Sequence, residues 1–136
     1  MKYLLDVNLL LAWGWEDHAD HDLVASWIAS MKSQREVSLL TSSIPELGFV
    51  RISVQRTGGR VSVAEAGKTL AGMLESLSSQ HEFLADDISS TRDWPAWCGN
   101  ASRTADAHLL ALAGKHDAEL VTLDAGIPGA RLIEPS

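Results

Sequence analysis

Short apolar runs alternate along the chain with longer stretches in which apolar residues recur every three or four positions. A short apolar run bounded by polar residues is typical of a buried strand, and the first such run ends at Asp6. Four further runs have the same character. The pattern therefore predicts strands just before Asp6 and at Val37–Thr41, Glu82–Ala85, Glu119–Leu123 and Arg131–Ile133.

The stretches between these runs have helical spacing. A short helix is predicted from Asn8 to Trp15, and a second is marked by the apolar residues between Leu23 and Met31. Longer amphipathic patterns predict helices at Ser62–Ser78 and Ala101–Lys115. The stretches Glu16–Asp22 and Ile88–Asn100 are predicted to be loops.

One more helix is predicted after the second strand. Ser43 has the residue type of a helix N-cap, and Pro45 fits the first turn. The sequence Thr57-Gly58-Gly59 is expected to end this helix. Its predicted inner stripe consists of Leu47, Val50 and Val54.

Strands that alternate with helices indicate an α/β fold with parallel pairing and helices on both faces of the sheet. The 136 residues fit a single domain, 1–136, without an internal repeat or linker. The sheet is expected to be mostly parallel, with about five strands.

Composition narrows the class of protein. The hydrophobic share of 46% and the charged share of 21% are those of a soluble globular domain. No apolar run approaches the ~20 residues that span a bilayer, and the first residues lack the pattern of a signal peptide, so we expect no membrane association and a cytoplasmic location. Cys98 is the only cysteine, which excludes an intrachain disulfide and a cysteine-based zinc site. The net charge of −7 argues against a broad phosphate-binding surface.

Four acidic residues are expected at one edge of the sheet. Asp6 and Asp124 end strands, Glu46 lies in the first turn of a helix that follows a strand, and Asp106 lies early in the last helix. Carboxylates brought this close repel one another, and a hard divalent cation such as Mg²⁺ relieves the repulsion. Such a site favours metal-assisted hydrolysis of a phosphodiester.

Each acid also has a purely structural interpretation. Asp6 could cap a helix, and Ser43 with Glu46 matches a capping box. Asp106 could interact with the helix dipole, and Asp124 could shape a turn. The coincidence of all four favours the functional interpretation over these separate ones.

The chain resembles the PIN-domain ribonucleases, and more closely the VapC-type toxins of bacterial toxin–antitoxin pairs. The resemblance lies in the order and spacing of four motifs and spans nearly the whole sequence. The motifs are Tyr3-Leu4-Leu5-Asp6-Val7-Asn8, the segment Ser43–Arg51, the segment Thr104–Ala113, and Leu120-Val121-Thr122-Leu123-Asp124.

This resemblance implies a parallel α/β/α sandwich and an active endoribonuclease. It implies Mg²⁺ or Mn²⁺ held by Asp6, Glu46, Asp106 and Asp124, with Asn8 and Thr122 as polar residues that orient the acids or water. Toxins of this type cut RNA, commonly tRNA or rRNA, act as homodimers and are inhibited by a cognate antitoxin protein. For Asn8 a helix cap, and for Thr122 a plain strand hydroxyl, are equally open.

Other residues have weaker signals. Arg51, Arg56 and Arg60 could contact RNA phosphates, or could simply form a solvated helix face. The four residues that could stack on bases, although burial in the core or an interface is favoured, are Trp13, Trp15, Trp94 and Trp97. A transition-metal site at His18 and His21 is disfavoured because no further ligands with suitable spacing follow.

Two other functions share parts of this pattern. A phosphatase of the haloacid-dehalogenase type would use Asp6 as nucleophile, but it needs a second Asp where this chain has Asn8. A receiver-like domain would use Asp86 or Asp87, but it also needs an acidic pair after the first strand. A non-catalytic binding module, in which the acids only cap and turn, is the third alternative.

Overall fold

The computed structural model describes residues 1–135, which form a five-stranded sheet flanked by five α-helices. All strand pairs are parallel, and the spatial order of the strands is β3-β2-β1-β4-β5. The α/β class and the five strands predicted from the sequence are confirmed. The strands are β1 Lys2–Leu5, β2 Ser38–Thr41, β3 His81–Phe83, β4 Glu119–Thr122 and β5 Arg131–Leu132.

Helices connect the strands except between β4 and β5, a parallel pair that is joined by residues 123–130 without a helix. Two short 3₁₀ turns, Ser78–Gln80 and Ala101–Arg103, precede β3 and the last helix. The helices are α1 Val7–Gly14, α2 His21–Lys32, α3 Ser43–Arg56, α4 Val63–Glu75 and α5 Thr104–Lys115.

Alternate side chains of the strands face two separate cores. On β1, Tyr3 and Leu5 face the layer built from α1 to α4, whereas Leu4 faces the layer of α5. Leu4 and Leu5 are fully buried, and burial of one such side chain stabilises the fold by roughly 1.5–3 kcal/mol. The central strand is therefore apolar on both faces, and its carboxyl end is held between the two helical layers.

The buried face of α3 differs from the prediction. Leu47 is 67% exposed, whereas Phe49 is fully buried and Gly48 lies at the contact with α1. A Cβ on Gly48 would come within 2.8 Å of Val7 Cγ2, so the helices approach at a residue without a side chain. The predicted stripe was wrong at Leu47, which faces solvent, whereas Val50 is half-buried and packs against the core. The close approach at Gly48 and the burial of Phe49 set the orientation of this helix.

The start of α3 also differs. Ser42, not Ser43, is the N-cap residue, and its hydroxyl donates to the carbonyl oxygen of Leu84 instead of accepting from the helix. The predicted capping box of Ser43 and Glu46 is therefore wrong. A capping box is present at the start of α4, where Ser62 and Glu65 accept from each other's backbone amides.

Helix bounds shift by a few residues elsewhere. His21 and Asp22 belong to α2 rather than to the preceding loop, and α4 ends at Glu75 rather than Ser78, whose φ is 53°. Ala101–Arg103 forms a 3₁₀ turn before α5. The break after α3 is confirmed: Gly58 and Gly59 have φ values of 60° and 84°, which residues other than glycine rarely adopt.

Strand β3 ends at Phe83 rather than at the predicted Ala85. The stretch between β3 and α5 has no helix or strand from residue 84 to residue 100, so the predicted loop at Ile88–Asn100 is confirmed. It is nonetheless anchored to α5. Asp86 Oδ2 lies 2.6 Å from His108 Nε2, and the carboxylate of Asp87 contacts Lys115 and His116. None of the helices within residues 1–135 is long and apolar enough to cross a membrane.

Candidate active site

Asp6 lies at the carboxyl end of the central strand and is 3% exposed. Its Oδ1 accepts from the backbone amide of Val7 at 2.8 Å, and its Oδ2 accepts from Thr122 Oγ1 at 2.7 Å. Burial raises the pKa of Asp6, with a further contribution from the charge of Asp124, while the two hydrogen bonds oppose the shift. The side chain caps α1, and it also places a poorly solvated carboxyl group at the sheet edge.

Asp106 and Asp124 lie close enough to Asp6 for the negative charge within this group to contribute to the raised pKa values of Asp6 and Asp106. Burial is the largest cause of the raised pKa of Asp106, followed by the negative charges of Asp6 and Asp124. Asp124 follows β4 and is exposed, and its Oδ1 accepts from the amide of Gly126 at 2.7 Å. Three of the four predicted acids thus form one negatively charged cluster, here called the acidic cluster (Asp6, Asp106 and Asp124).

Thr122 and Asn8 link the acidic cluster to the backbone. Besides its bond to Asp6, Thr122 Oγ1 accepts from the amide of Asp124 at 3.0 Å and from Asn8 Nδ2 at 3.2 Å. The amide of Leu123 donates to Asn8 Oδ1 at 3.2 Å. This network fixes the orientation of the Asp6 carboxyl group relative to the loop that carries Asp124.

Glu46 is held by different partners. Thr41, at the end of β2, donates from Oγ1 to Glu46 Oε2 at 2.6 Å, and His81 Nε2 lies 2.7 Å from the same hydroxyl. Because the single hydroxyl proton goes to Glu46, His81 Nε2 carries a proton and donates it to Thr41. Burial is the main cause of the lowered pKa of His81, which favours its neutral form. Glu46 is not among the charges that shift the pKa values of Asp6 and Asp106. It therefore stands one strand away from the acidic cluster.

The donor set has the chemistry of a hard-cation site. In the described part of the chain, no three His, Cys, Asp or Glu side chains are close enough together to hold a metal ion as they stand. The acidic cluster nonetheless offers only oxygen ligands, and no Lys or Arg among residues 1–135 forms an ion pair with it. A buried carboxylate such as that of Asp6 is costly without a cationic partner, and Mg²⁺ or Mn²⁺ would offset its charge.

Arg103 is a residue of this site that the sequence reasoning missed. Its Nη2 donates to the carbonyl oxygen of Gly126, next to the Asp124 turn, and its charge lowers the pKa of Asp106. Its Nε is buried and has no hydrogen-bond partner within residues 1–135. The sequence signal that could have identified Arg103 was its position three residues before Asp106, because residues three apart on a helical turn share a face. Arg103 braces the start of α5 against the loop that carries Asp124.

The three predicted RNA-contacting arginines lie on or after α3 and differ in availability. Arg56 is paired with Asp17 at 2.6 Å, and Arg60 Nε donates to the carbonyl oxygen of Thr57 at 3.2 Å. Arg51 is exposed and makes no hydrogen bond or ion pair with any described residue. Of the three, Arg51 is best placed to contact a phosphate.

The side chains that a receiver-like domain or a histidine metal site would use are paired with other groups of the chain. Asp86 and Asp87, which a receiver-like domain would need, are occupied by His108 and by Lys115 with His116. The His18 and His21 rings bond to backbone groups, the amide of Asp20 and the carbonyl oxygen of Ala12.

Comparisons with known proteins agree with this geometry. Residues 3–131 match the family model of the PIN domain. Ribonuclease VapC39 of Mycobacterium tuberculosis is 39% identical over 133 residues, covering 93% of this chain and 91% of the relative. Ribonuclease VapC44 of the same species is 37% identical over 139 residues, covering 96% of this chain and 94% of the relative.

One solved structure has the same fold over almost the whole chain. It is described as the crystal structure of VapBC2 from Rickettsia felis bound to a DNA fragment from their promoter, and the TM-score is 0.63. The alignment covers 97% of both chains at 17% identity, a level that supports the fold alone.

Proposed function

The chain belongs to the PIN-domain family and within it to the VapC-type ribonucleases, and from this premise we propose that it is a metal-dependent endoribonuclease and the toxin of a toxin–antitoxin pair. Its relatives are ribonucleases by name, and they align with this chain over more than nine-tenths of its length. The observation that carries the proposal is the buried, unneutralised carboxyl group of Asp6 in the field of Asp106 and Asp124.

Asp6, Glu46, Asp106 and Asp124 are the residues that would hold Mg²⁺ or Mn²⁺. Such a cation, when bound, offsets the carboxylate charge and polarises the phosphodiester that is to be cut. The donor set supports this assignment because all four side chains offer hard oxygen ligands.

The chain's own residues supply orientation. Thr122 holds Asp6, and Thr41 holds Glu46 through Oε2. Glu46 Oε1 has no hydrogen-bond partner in residues 1–135, so this is the oxygen that would be open to the cation. Arg51, Arg56 and Arg60 would contact the RNA backbone on the α3 side of the site.

Substitution of Asp6 tests the proposed activity. We expect the wild-type chain to cut total RNA with Mg²⁺ or Mn²⁺ and to stop when EDTA is added. Asp6→Asn should be inert yet folded, because Asn retains the helix-capping oxygen but removes the charge. The readout is gel analysis of RNA fragments, with circular dichroism of each variant.

The matched control is Asp22→Asn, which neutralises an exposed acid at the start of α2, outside the acidic cluster. It should cut RNA as the wild type does. Cleavage that survives Asp6→Asn, or that is indifferent to EDTA, would refute a metal-dependent site at Asp6.

A second experiment addresses RNA contact. Arg51→Ala should weaken RNA binding and reduce the slope of log affinity against log salt by about one phosphate contact. Arg56→Ala is the control and should have a smaller effect, since Arg56 is already paired with Asp17. Equal effects of the two substitutions would remove the special role of Arg51.

The remaining partners are proposed by analogy with the family. The solved neighbour is described as a VapBC2 assembly on promoter DNA. By analogy we propose a cognate antitoxin protein as the inhibitor of this chain, and tRNA or rRNA as its substrate. A small protein encoded by an adjacent gene that co-purifies with this chain and blocks its cleavage of RNA would support the pairing, and failure to inhibit would exclude that candidate.

A further inference from the structure

A small cavity of about 230 Å³ opens beside the candidate active site. It lies where two helix starts meet. Ile44 is two residues before Glu46, and Ala105 directly precedes Asp106. The cavity is thus formed at the helix turns that carry Glu46 and Asp106, although neither acid lines it. The cavity is lined by Ile44, Ser90, Trp94, Thr104, Ala105 and His108.

Trp94 forms an aromatic wall of this cavity. The residue is 37% exposed, so part of its surface is open to solvent while most of it is buried. Its Nε1 donates to the carbonyl oxygen of Ser90 at 3.2 Å, and the Arg92 guanidinium lies 4.2 Å from the ring centre. Arg92 does not line the cavity. The ring is thus held from its indole nitrogen and by the guanidinium, and it still presents surface to a ligand.

His108 supplies a polar group in the same cavity. It is 7% exposed, and its Nε2 is paired with Asp86 Oδ2 at 2.6 Å, which fixes the ring. Its Nδ1 makes no hydrogen bond within the described chain, so this atom is available to a ligand. A fixed aromatic surface, an apolar contact at Ile44 and one free ring nitrogen suit a planar heterocycle.

We propose that this cavity receives one unpaired nucleobase of the RNA, stacked on Trp94, next to the phosphodiester that is cut. The inference rests on the proposed endoribonuclease function and adds a base-binding subsite to it. The volume is several times the ~30 Å³ of one water molecule, which suits a single ring system, and the positive charge of Arg92 behind the ring suits the adjoining phosphate. Unpaired bases are the part of RNA that aromatic side chains can reach.

Binding of short single-stranded RNA tests the subsite without any cleavage. All proteins have Asp6→Asn as background and are measured in EDTA by fluorescence anisotropy with labelled RNAs of A, C or U. Trp94→Ala should raise Kd by about 5- to 150-fold, the range expected for loss of one stacked base. Trp94→Phe, which keeps an aromatic face, should stay within a few-fold of the parent.

A strand without bases separates stacking from phosphate contact. An abasic ribose–phosphate strand of the same length should bind the parent and Trp94→Ala equally weakly, because the base that Trp94 recognises is missing. Val63→Ala is the matched control. It removes apolar surface from a residue that is 66% exposed and lines neither this cavity nor the groove that contains Glu46, and RNA affinity should be nearly unchanged.

Unchanged RNA affinity in Trp94→Ala, or equal affinity of the parent for RNA and the abasic strand, would overturn the subsite. The cavity would then be open to a protein side chain instead. The two proposals fail separately. Wild type that cuts RNA while Trp94→Ala binds normally refutes only the subsite, whereas Trp94-dependent base binding without any cleavage by wild type refutes only the nuclease.

Discussion

At the scale of single residues, Asp6 combines two roles that the sequence presented as alternatives. It caps α1 through the amide of Val7, and its buried carboxyl group belongs to the acidic cluster. The cap compensates only part of the cost of burying a charge, since the pKa of Asp6 remains raised. Without a cation, the ionised form of this residue therefore destabilises the fold.

Because of this cost, we expect Asp6→Asn to be more stable than the wild type, by an amount that depends on pH. A carboxyl group whose pKa is raised by folding binds its proton more tightly in the folded state. Its contribution to the free energy of unfolding is full below the ordinary Asp range and is lost as pH rises through the raised pKa. In EDTA, Asp6→Asn should therefore melt roughly 3–5 °C above wild type at about pH 8, and close to it at about pH 4.

Thermal unfolding followed by circular dichroism measures this difference. Asp22→Asn, an exposed acid outside the acidic cluster, should show no such dependence on pH. The lowered pKa values of Asp17, Asp87 and Glu119 act in the opposite direction, but they are common to all the variants. A variant less stable than wild type at about pH 8 would contradict the account.

The individual acids, and Asn8 and Thr122 beside Asp6, could be predicted from the sequence and its family resemblance, but the partners of Glu46 could not. Asp6 and Asp124 follow apolar strands, and parallel strands bring such residues to one edge. The contact between His81 and Thr41, by contrast, spans 40 residues and depends on the order of the strands. Spacing along the chain does not contain that information.

At the scale of elements, the position of α3 depends on a close contact with α1. Gly48 lies where a Cβ would be 2.8 Å from Val7 Cγ2, and Val7 directly follows Asp6. The contact couples the helix that carries Glu46 to the start of the helix that Asp6 caps. A sequence pattern built on large apolar residues misses it, because the decisive residue has no side chain.

Two alanine substitutions form a matched pair on this point. Gly48→Ala should lower the free energy of unfolding by about 1–3 kcal/mol, the usual cost of overpacking, and should reduce RNA cleavage by displacing α3. Gly72→Ala, in α4 with no atom near its would-be Cβ, should stabilise by about 0.5–1 kcal/mol through helix propensity.

Urea unfolding of the two variants gives the comparison directly. An increase in the free energy of unfolding of both variants would show that helix propensity, rather than contact with Val7, governs position 48. Strands were easier to predict than helix faces, since a central parallel strand such as β1 is apolar on both sides and ends at a polar residue.

At the scale of the whole molecule, one face has more exposed apolar surface than the others described. Leu47, Val63 and Phe83 are 67%, 66% and 53% exposed, and Leu47 and Phe83 line one groove with Val50 and Leu70. Exposed apolar side chains that cluster around a groove are typical of a surface that binds another protein. The homodimer implied by the family resemblance is consistent with such a surface.

Sedimentation velocity tests the dimer. We expect the isolated chain at micromolar concentration to sediment with twice its mass of 14.7 kDa. A single species of monomer mass across the concentration range would contradict the expectation. Hydrophobic periodicity predicts the fold but not the dimer. The reason is that Leu47 on α3 is exposed, yet it occupies the same position in the helical repeat as a buried leucine would.

The anchoring of the stretch between β3 and α5 has a consequence for how such proteins diversify. Asp86 and Asp87 fasten this stretch to His108, Lys115 and His116, outside the acidic cluster. The residues that follow, including Trp94, form no ladder with the sheet. Under the proposed base-binding subsite, a change of sequence in this stretch would alter which base is bound and leave the acidic cluster in place, so that target choice would vary without loss of the acids.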